Sequence, residues 1–399
     1  MRTARAAALL LLGLTAASAC ATPSSVAVGS KLPPSTVPRA TPLGVSLVES
    51  WPLETSLDHA DIPDAKDVWV AMIDSARSSL DMAQFYMSDD PAANPERPSA
   101  LGSVVAAMRR AAARGVRVRV LVEEGFYAKY PELPDSLAKE KGISVRHIDG
   151  KKAFGGGILH AKYFVVDDRE AYLGSQNFDY RSLSHIHELG VRSADAHVVT
   201  SLEATFDRDF RVAGDEPSMA HAIAPRANGG QVTFAASPKD ALPEGVVWDL
   251  PLLVERIRNA KREILVQVLG YKAALRDGTA FDLLDRELRA AAARGVAVTL
   301  QVGHWHGKEP SLLALRNAGI RVRIVQVADH SSGQIPFARV IHAKYMVVDR
   351  QRSWVGTSNW EGDYFLKSRN VGVFVEDAAF AERLAAVFAD VGQKLPEAQ

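Results

Sequence analysis

The stretch LHAKYFVVDDREAYLGSQN at residues 159–177 decides the fold, and it returns as IHAKYMVVDRQRSWVGTSN at residues 341–359. Both copies read His-x-Lys-x4-Asp and then Gly-Ser/Thr-x-Asn, with 17 positions from His to Asn. The residues concerned are His160, Lys162, Asp167, Ser175 and Asn177, and then His342, Lys344, Asp349, Thr357 and Asn359. One copy of so short a pattern is weak, but a repeat with the same downstream tail indicates a duplicated functional unit.

Other segments repeat with a similar offset. AAARGV at residues 111–116 returns 180 positions later at 291–296, and VSLVESWP at 45–52 is echoed by VTFAASPK at 232–239. Repeats this long indicate duplicated domains, because solenoid repeats have periods of about 20–50 residues. Strands alternate with helices in both halves, which predicts α/β domains. We expect lobes at residues 45–214 and 232–395, joined by a linker at 215–231.

The N-terminus has the pattern of a bacterial export signal. Arg2 and Arg5 precede an apolar run at residues 6–14, and small residues then lead to Cys20. We therefore expect a signal peptide over residues 1–19. Cys20 is the only cysteine, which excludes a disulfide within the chain, and its position resembles a lipobox, where it would carry a lipid anchor. Residues 20–44 would then be a Pro/Ser/Thr-rich tether.

These features predict an exported protein, held by lipid on the periplasmic or outer face of the outer membrane. Simple cleavage by signal peptidase, with Cys20 incidental, is the alternative and would give a secreted or periplasmic protein. Lys and Arg together number 47, as do Asp and Glu. This balance excludes a general polyanion-binding surface but leaves room for a local basic groove.

Each histidine and lysine of the repeat is predicted to lie on one strand. Residues 159–166 are apolar apart from His160 and Lys162, and positions i and i+2 of a strand point to the same face. An unpaired lysine on a buried strand is costly, so two such lysines beside histidines predict an anion site. We assign four further side chains to phosphate binding: Ser175, Asn177, Thr357 and Asn359.

Neither half alone makes a convincing catalyst, but two converging halves do. Two ammonium groups and several neutral donors suit the nonbridging oxygens of a phosphodiester. Two histidines suit in-line displacement, with one neutral as nucleophile and the other protonated as general acid. Because the reference pKa of histidine is about 6.5, we expect a bell-shaped rate profile near neutral pH. No metal or other cofactor is required, and one chain suffices for a complete site.

Two HxKxxxxD motifs with GS/GT-x-N tails resemble the phospholipase D superfamily across nearly all of residues 45–395. Finer features are LVES near the start, LGSQNFDYRSLSHIHELGV after the first motif, and IPFARVIHAKYMVVD with GTSNWEGDYF around the second. These are similar to lysosomal phospholipase-D-like proteins that act as 5′ exonucleases on single-stranded nucleic acid, and to related viral envelope proteins. The resemblance implies two pseudo-twofold-related α/β lobes, each with a mixed β-sheet flanked by helices. It also implies a phosphohistidine intermediate, resolved by water or an alcohol.

The two halves differ at one position that bears on their roles. Glu188 lies 28 residues after His160, where the family carries a carboxylate that orients a catalytic histidine, whereas Asn370 lies 28 residues after His342. A carboxylate makes its histidine more basic, and an amide orients without adding charge. If Glu188 supports His160, then His160 is the nucleophile and His342 the general acid, as the family assignment also has it.

Several residues keep two interpretations. We place Asp167 and Asp349 with the catalytic residues as members of the motif, but each ends its strand before a turn, so capping the turn or pairing with lysine is the alternative. His304 and His306 flank Trp305 without a third spaced ligand, which favours a rim or core position over a metal site. His185 and His187 are expected to be structural or rim residues. Trp360, Tyr364 and Phe365 are expected to pack in the core, with contact to a base or acyl chain as the alternative.

The sequence predicts phosphodiester cleavage more sharply than it predicts the substrate. A neutral charge and a lipid anchor favour a phospholipid, which is the substrate that we expect first, with transfer to an alcohol in place of water as a variant. The branch resemblance favours single-stranded nucleic acid, although long nucleic-acid tracks usually show net basicity. The third alternative is a catalytically idle surface-binding protein. The completeness of both motifs argues against it.

Overall fold

A computed structural model describes residues 43–93, 99–217, 219–226 and 230–398. The predicted signal peptide, Cys20 and nearly all of the predicted tether lie outside these described residues. Within them, no helix combines the length and the apolar character that crossing a bilayer would require.

The first half of the chain supplies one large sheet. Its strands are β1 (Val45–Ser50), β2 (Ser79–Gln84), β3 (Met87–Ser88), β4 (Arg117–Glu123), β5 (Ile143–Ile148), β6 (Tyr163–Val166), β7 (Glu170–Gly174), β8 (Phe178–Asp179) and β9 (Glu188–Ser193). Its helices are α1 (Ala65–Ser75), α2 (Ala100–Ala113), α3 (Glu124–Tyr127), α4 (Glu132–Ala138), α5 (Gly150–Ala153), α6 (Tyr180–Ser184) and α7 (Ala196–Val212).

The second half supplies the other large sheet. Its strands are β10 (Val232–Ser237), β11 (Val247–Trp248), β12 (Glu263–Val268), β13 (Tyr271–Lys272), β14 (Ala297–Gly303), β15 (Arg321–Val325), β16 (Tyr345–Val348), β17 (Arg352–Gly356), β18 (Trp360–Glu361) and β19 (Asn370–Val375). Its helices are α8 (Asp249–Asn259), α9 (Leu283–Ala293), α10 (Pro310–Asn317), α11 (Gly362–Leu366) and α12 (Ala378–Lys394), with 3-10 turns at Lys239–Ala241 and His304–His306.

Seven strands of each large sheet have the same topology, and β11 is an additional edge strand of the second. The short strands β3 and β8 pair with each other outside the first large sheet, and β13 pairs with β18 outside the second. The first has the strand order β1-β9-β7-β6-β2-β4-β5, and the second has the order β11-β10-β19-β17-β16-β12-β14-β15. Strands β2, β4 and β5 run parallel, as do β12, β14 and β15, while the pairs β2–β6, β6–β7, β7–β9 and β1–β9 are antiparallel. Each half is therefore a mixed sheet flanked by helices, as the sequence predicted, and β6 and β16 are the strands that follow the two His-x-Lys segments.

The repeated AAARGV sequence ends equivalent helices in both halves. Gly115 after α2 has φ +92° and Gly295 after α9 has φ +88°, a left-handed conformation that glycine adopts without a steric penalty. Ser99 caps the start of α2 by accepting a hydrogen bond from the backbone N–H of Gly102, which satisfies an otherwise unpaired donor. Local signals thus place one helix end next to the start of β4 and its equivalent next to β14.

The two sheets share one hydrophobic core. A single buried cluster contains Tyr163 of the first sheet, Tyr345 of the second, and Phe206 and Phe388 of α7 and α12. Separate clusters pack the outer faces, one with α1 and α2 and the other with α8, α9 and α10. Burial of this apolar surface from both halves joins the lobes into one folded unit.

The His-x-Lys segments lie at the seam between the sheets. The sequence predicted a strand from residue 159, but β6 begins only at Tyr163, because Leu159 pairs with Arg369 of the other lobe. The backbone N–H of His160 donates to the carbonyl of Arg369 at 2.9 Å, and that of His342 donates to the carbonyl of His187 at 2.8 Å. Each catalytic segment is thus held by main chain from the opposite lobe.

Candidate active site

The seam brings both His-x-Lys motifs to one buried location. Only 4% of His160 and 8% of His342 is exposed. Burial lowers the pKa of His160 well below its ordinary value, and the ammonium groups of Lys162 and Lys344 lower it further. Lysines from both motifs therefore act on the same imidazole, as the sequence predicted for converging halves.

An amide from the second lobe orients His160. The Nδ1–H of His160 donates to Oδ1 of Asn370 at 2.9 Å. Asn370 is fixed in this orientation because its Nδ2 donates to the carbonyl of Tyr364 at 2.8 Å, and the Thr357 hydroxyl donates to the same Oδ1 at 2.9 Å. An acceptor on Nδ1 leaves the Nε2 lone pair of a neutral His160 free for attack.

A carboxylate from the first lobe orients His342. The Nδ1–H of His342 donates to Oε2 of the fully buried Glu188 at 2.8 Å. The expectation that Glu188 supports His160 is therefore wrong, and Asn370, expected to be an orienting residue, serves His160 instead. The physical reason is the seam, because each histidine lies against the start of β9 or β19 of the opposite lobe. The inference of a more basic His160 fails with it, although the assignment of roles stays a prediction.

The buried charges depend on one another. Burial lowers the pKa of His342 to about 4, and Glu188 opposes this shift. Burial alone would raise the pKa of Glu188, but the attraction of His342 and Lys344 holds it below its usual value. Burial also lowers the pKa of Lys344 to about 7 and that of Lys162 well below its ordinary range. A bound phosphodiester would supply the missing negative charge and favour the protonated forms.

The two lysines are positioned by their own motifs. The Nζ group of Lys162 donates to the carbonyl of His160, and that of Lys344 donates to the carbonyl of His342. The Lys162 ammonium also lies 4.9 Å from the centre of the Phe85 ring. Since an ammonium has three N–H donors, each lysine keeps donors for a phosphate oxygen.

The hydroxyls that we assigned to phosphate binding lie behind the histidines. The Ser175 hydroxyl donates to the carbonyl of Leu189 at 3.0 Å and lies against the Glu188 carboxylate, while Thr357 donates to Asn370. Both are fully buried. The structure therefore corrects this assignment: these hydroxyls fix the two orienting side chains.

The two asparagines of the motif tails are also buried. Within the described residues, the side-chain carbonyl oxygens of Asn177 and Asn359 are buried and have no hydrogen-bond partner. Asn359 also lies next to the hydroxyl of Tyr364, the residue beside His160. Phosphate binding by Asn177 and Asn359 stays a prediction.

The motif aspartates cap loops and do not contact the histidines or lysines. Asp167 accepts hydrogen bonds from the backbone N–H groups of residues 77–79, at 2.7 to 3.1 Å. Asp349 does the same for residues 261–263. Both follow a strand with positive φ, +52° and +54°, so their side chains turn away from the site. Their place among the catalytic residues is corrected to the turn-capping alternative.

An aromatic wall beside His160 was not predicted. Phe85 lies 5.1 Å from the His160 ring, Phe126 lies 4.0 Å from Phe85, and Tyr86 stacks between Phe126 and Tyr130 at 5.8 and 5.2 Å. A signal was available, because Phe85 and Tyr86 follow β2 and Phe126 follows the parallel strand β4. The carboxyl ends of parallel strands meet at one edge of a sheet, where ligands bind.

The remaining candidates fall into three groups. Trp360 and Phe365 are buried in the core, whereas Tyr364 lies 4.7 Å from the His160 ring. His187 is fully buried beside Glu188 and His185 contacts His330, both structural positions. Among the described residues, no three His, Cys, Asp or Glu side chains are grouped to hold a metal ion.

The chain is similar to known proteins over both lobes. A family model described as "Cardiolipin synthase, PLD-like domain" matches residues 69–210 and 253–391. The chain is 32% identical over 375 residues to "Phospholipase D Z" of Dictyostelium discoideum, covering 86% of this chain and 88% of that protein. It is 31% identical over 377 residues to "5'-3' exonuclease PLD3" of Homo sapiens, covering 84% of this chain and 75% of that protein.

A solved structure has the same fold at low identity. The crystal structure of phosphatidylserine synthase from Haemophilus influenzae superposes with a TM-score of 0.56 and 12% identity, covering 84% of this chain and 85% of that one. At this identity the likeness concerns the fold alone.

Proposed function

The chain belongs to the phospholipase D superfamily of phosphodiesterases, and we propose that it removes nucleotides from an end of single-stranded nucleic acid through a phosphohistidine on His160. The observation that carries the chemistry is the cross-lobe pairing of the two histidines, His160 with an amide and His342 with a carboxylate.

The first step is an in-line displacement at phosphorus. Nε2 of His160 attacks, a P–N bond forms, and the P–O bond to the leaving oxygen breaks. The leaving oxygen takes the electron pair of that bond and a proton from His342. In the second step His342 accepts a proton from water, the water oxygen bonds to phosphorus, and the P–N bond breaks. Lys162 and Lys344 stabilise the charge on the nonbridging oxygens throughout.

The orienting side chains support this division of roles. Asn370 fixes the tautomer of His160 without adding charge, so His160 stays neutral and keeps its lone pair. Glu188 stabilises the imidazolium form of His342, which suits a proton donor. The same polarity that we predicted thus rests on the opposite pairing.

The pKa shifts move the expected pH optimum. Burial lowers the pKa of both histidines, that of His342 to about 4. Productive enzyme needs a neutral His160 and a protonated His342, a state favoured between their two pKa values. We therefore expect kcat/KM to be highest on the acid side of the ordinary histidine pKa, rather than near neutral pH as the sequence predicted.

Burial and aromatic surroundings favour a nucleic-acid end as substrate. Both histidines are nearly enclosed, so a chain end reaches them more readily than a continuous strand. Tyr86, Phe126 and Tyr130 are half-buried beside His160 and offer surface to a base. An end-directed enzyme contacts few phosphates, so it does not need the general basic surface that the neutral net charge excludes.

Phospholipid cleavage is the second candidate. The same aromatic wall would accept an acyl chain, and one relative is named Phospholipase D Z. A lipid anchor on Cys20 would hold the site at a membrane, and an alcohol in place of water would make the reaction a transphosphatidylation. We keep export and outer-membrane anchoring as proposals, which a Cys20→Ala variant tests by its release from the membrane fraction.

The deciding experiment offers both substrates to the mature protein. Single-stranded DNA labelled at one end and vesicles of phosphatidylcholine or phosphatidylglycerol are incubated with wild type and with His160→Ala, across pH 4–8. We expect a ladder of single-nucleotide steps from wild type and none from His160→Ala. Turnover of lipid alone would replace the nuclease proposal by the second candidate. Inertness toward both would leave a surface-binding protein.

A further inference from the structure

A cavity of about 370 Å³ lies in the second lobe, beside the His342 half of the site. Its walls come from the 3-10 turn at His304–His306 and from a loop at residues 326–339. The side chains that matter are Trp305 and Phe337, which are aromatic, and Gln326, Asp329 and Gln334, which are polar. Trp305 is 44% exposed and Phe337 is 71% exposed, so both rings offer surface to a ligand.

Both walls lead directly to the catalytic residues. The loop runs from Arg339 through Val340 and Ile341 into His342, and Val340 packs against Leu269 and Ile186 below the cavity. On the other wall, Gly303 directly before the turn that carries Trp305 lies against Val340 and the carbonyl of Ile341, the residue before His342. The cavity therefore adjoins the general-acid side of the site.

The loop that presents Phe337 is held in an unusual conformation. Phe337 has φ +59° and Arg339 has φ +56°, a region that non-glycine residues seldom occupy. Arg339 fixes the loop by donating to the carbonyls of Ala328 at 2.6 Å and Leu53 at 2.7 Å. Arg181 donates to the carbonyl of Pro336 at 3.3 Å. The exposed ring of Phe337 is thus positioned before any ligand arrives.

We propose that this cavity binds the nucleobase next to the scissile linkage, on the part of the substrate that leaves in the first step. This inference rests on the proposed nuclease function. The general acid protonates the leaving oxygen, so the leaving chain must pass on the side of His342. A nucleobase has a flat face for Trp305 and Phe337 and a polar edge for Gln326 and Gln334, and stacking accepts any base.

The lining favours a base over the parts of a phospholipid. Gln326, Asp329 and Gln334 are exposed polar side chains that can hydrogen-bond to the edge of a base but not to an acyl chain. A choline headgroup would use the aromatic rings and Asp329. It would not use the amides of the two glutamines.

The test compares two oligonucleotides that differ only in whether they carry the base that the cavity would bind. Both are single-stranded and end-labelled, and one carries an abasic residue in place of the second nucleotide from the reactive end. Wild type, Trp305→Ala, Phe337→Ala and the control Leu313→Ala are measured on both. Leu313 is an exposed apolar residue of α10 that does not line the cavity.

We expect the abasic residue to lower kcat/KM of wild type about 5- to 100-fold, the range that base–aromatic stacking supplies. Trp305→Ala and Phe337→Ala should lose a similar factor on the intact strand and almost nothing on the abasic strand. Leu313→Ala should match wild type on both. Undiminished turnover of the abasic strand also shows that the variants are folded.

Equal turnover of both strands by wild type would overturn the cavity proposal and leave the nuclease proposal intact. If no strand is cleaved, the nuclease proposal fails, and binding of the same two strands to His160→Ala decides the cavity separately by fluorescence anisotropy. Equal affinity, or no binding, would overturn it. Loss of phosphatidylcholine turnover in Phe337→Ala would assign the cavity to a choline headgroup instead.

Discussion

Replacing Glu188 by Gln tests the division of labour between the histidines. The substitution keeps the shape of the side chain but removes the charge 2.8 Å from Nδ1 of His342. A hydrogen bond to a charged group contributes about 1.5–3 kcal/mol. The pKa of His342 should therefore fall, and protonation of the leaving group should slow by about 10- to 150-fold.

The assay compares two leaving groups on the same nucleotide. A nucleoside alcohol needs a proton to leave, whereas p-nitrophenolate leaves without one. Glu188→Gln should therefore lose the full factor on the natural linkage and only a few-fold on the nitrophenyl ester. The alkaline limb of its kcat/KM profile should move to lower pH, because the acid loses its proton earlier.

Asn370→Ala is the matched control. It removes a hydrogen bond from neutral His160, which contributes about 0.5–1.5 kcal/mol, so both substrates should slow equally by about 3- to 10-fold. Equal loss on both substrates in Glu188→Gln would refute the acid role of His342. Sparing of the nitrophenyl ester by Asn370→Ala would give His160 that role instead.

Three further predictions concern stability and cofactors. Asp167→Ala should lower the free energy of unfolding by about 1–3 kcal/mol through lost backbone hydrogen bonds, with kcat unchanged. Asp168→Ala, also at positive φ but exposed, should cost less, and a large loss of kcat in Asp167→Ala would restore its catalytic role. Arg369→Met should destabilise by about 1–3 kcal/mol in urea, because the buried Asp209 loses one of its two arginine partners and keeps only Arg208; partial recovery in Arg369→Met/Asp209→Leu checks that reason, and undiminished loss would contradict it. EDTA should leave turnover unchanged, because lysines supply the charge at phosphorus, and loss of all turnover would contradict the metal-free mechanism.

The repeat in the sequence predicted most of the fold and the reacting pair of motifs. The glycine after each AAAR predicted equivalent helix ends, because this signal depends only on neighbouring residues. Period-two patterning predicted a strand through His160 and Lys162, but both precede β6, because the opposite lobe pairs with this segment. The doubled motif then required two lobes and a site between them.

The sequence alone could not predict which histidine Glu188 contacts, because that contact forms at the seam between the lobes. Spacing along the chain gives Glu188 to the first motif, but the bridge between His187 and Ile341 places it against His342. The role of Asp167 was ambiguous for another reason, since a turn residue with positive φ can direct its side chain either way. In the structure, hydrogen bonds from the backbone N–H groups of residues 77–79, which are distant in sequence, fix the direction of the Asp167 side chain.

The most direct test of the account traps the covalent intermediate in His342→Asn. A nitrophenyl ester needs no general acid for the first step, but the second step needs His342 as base, so the phosphoenzyme should accumulate. We predict that mass spectrometry after acid-free quenching finds the phosphoryl group on His160, and finds none in His160→Asn. A phosphoryl group on His342 of the wild type, or on no histidine, would contradict the account.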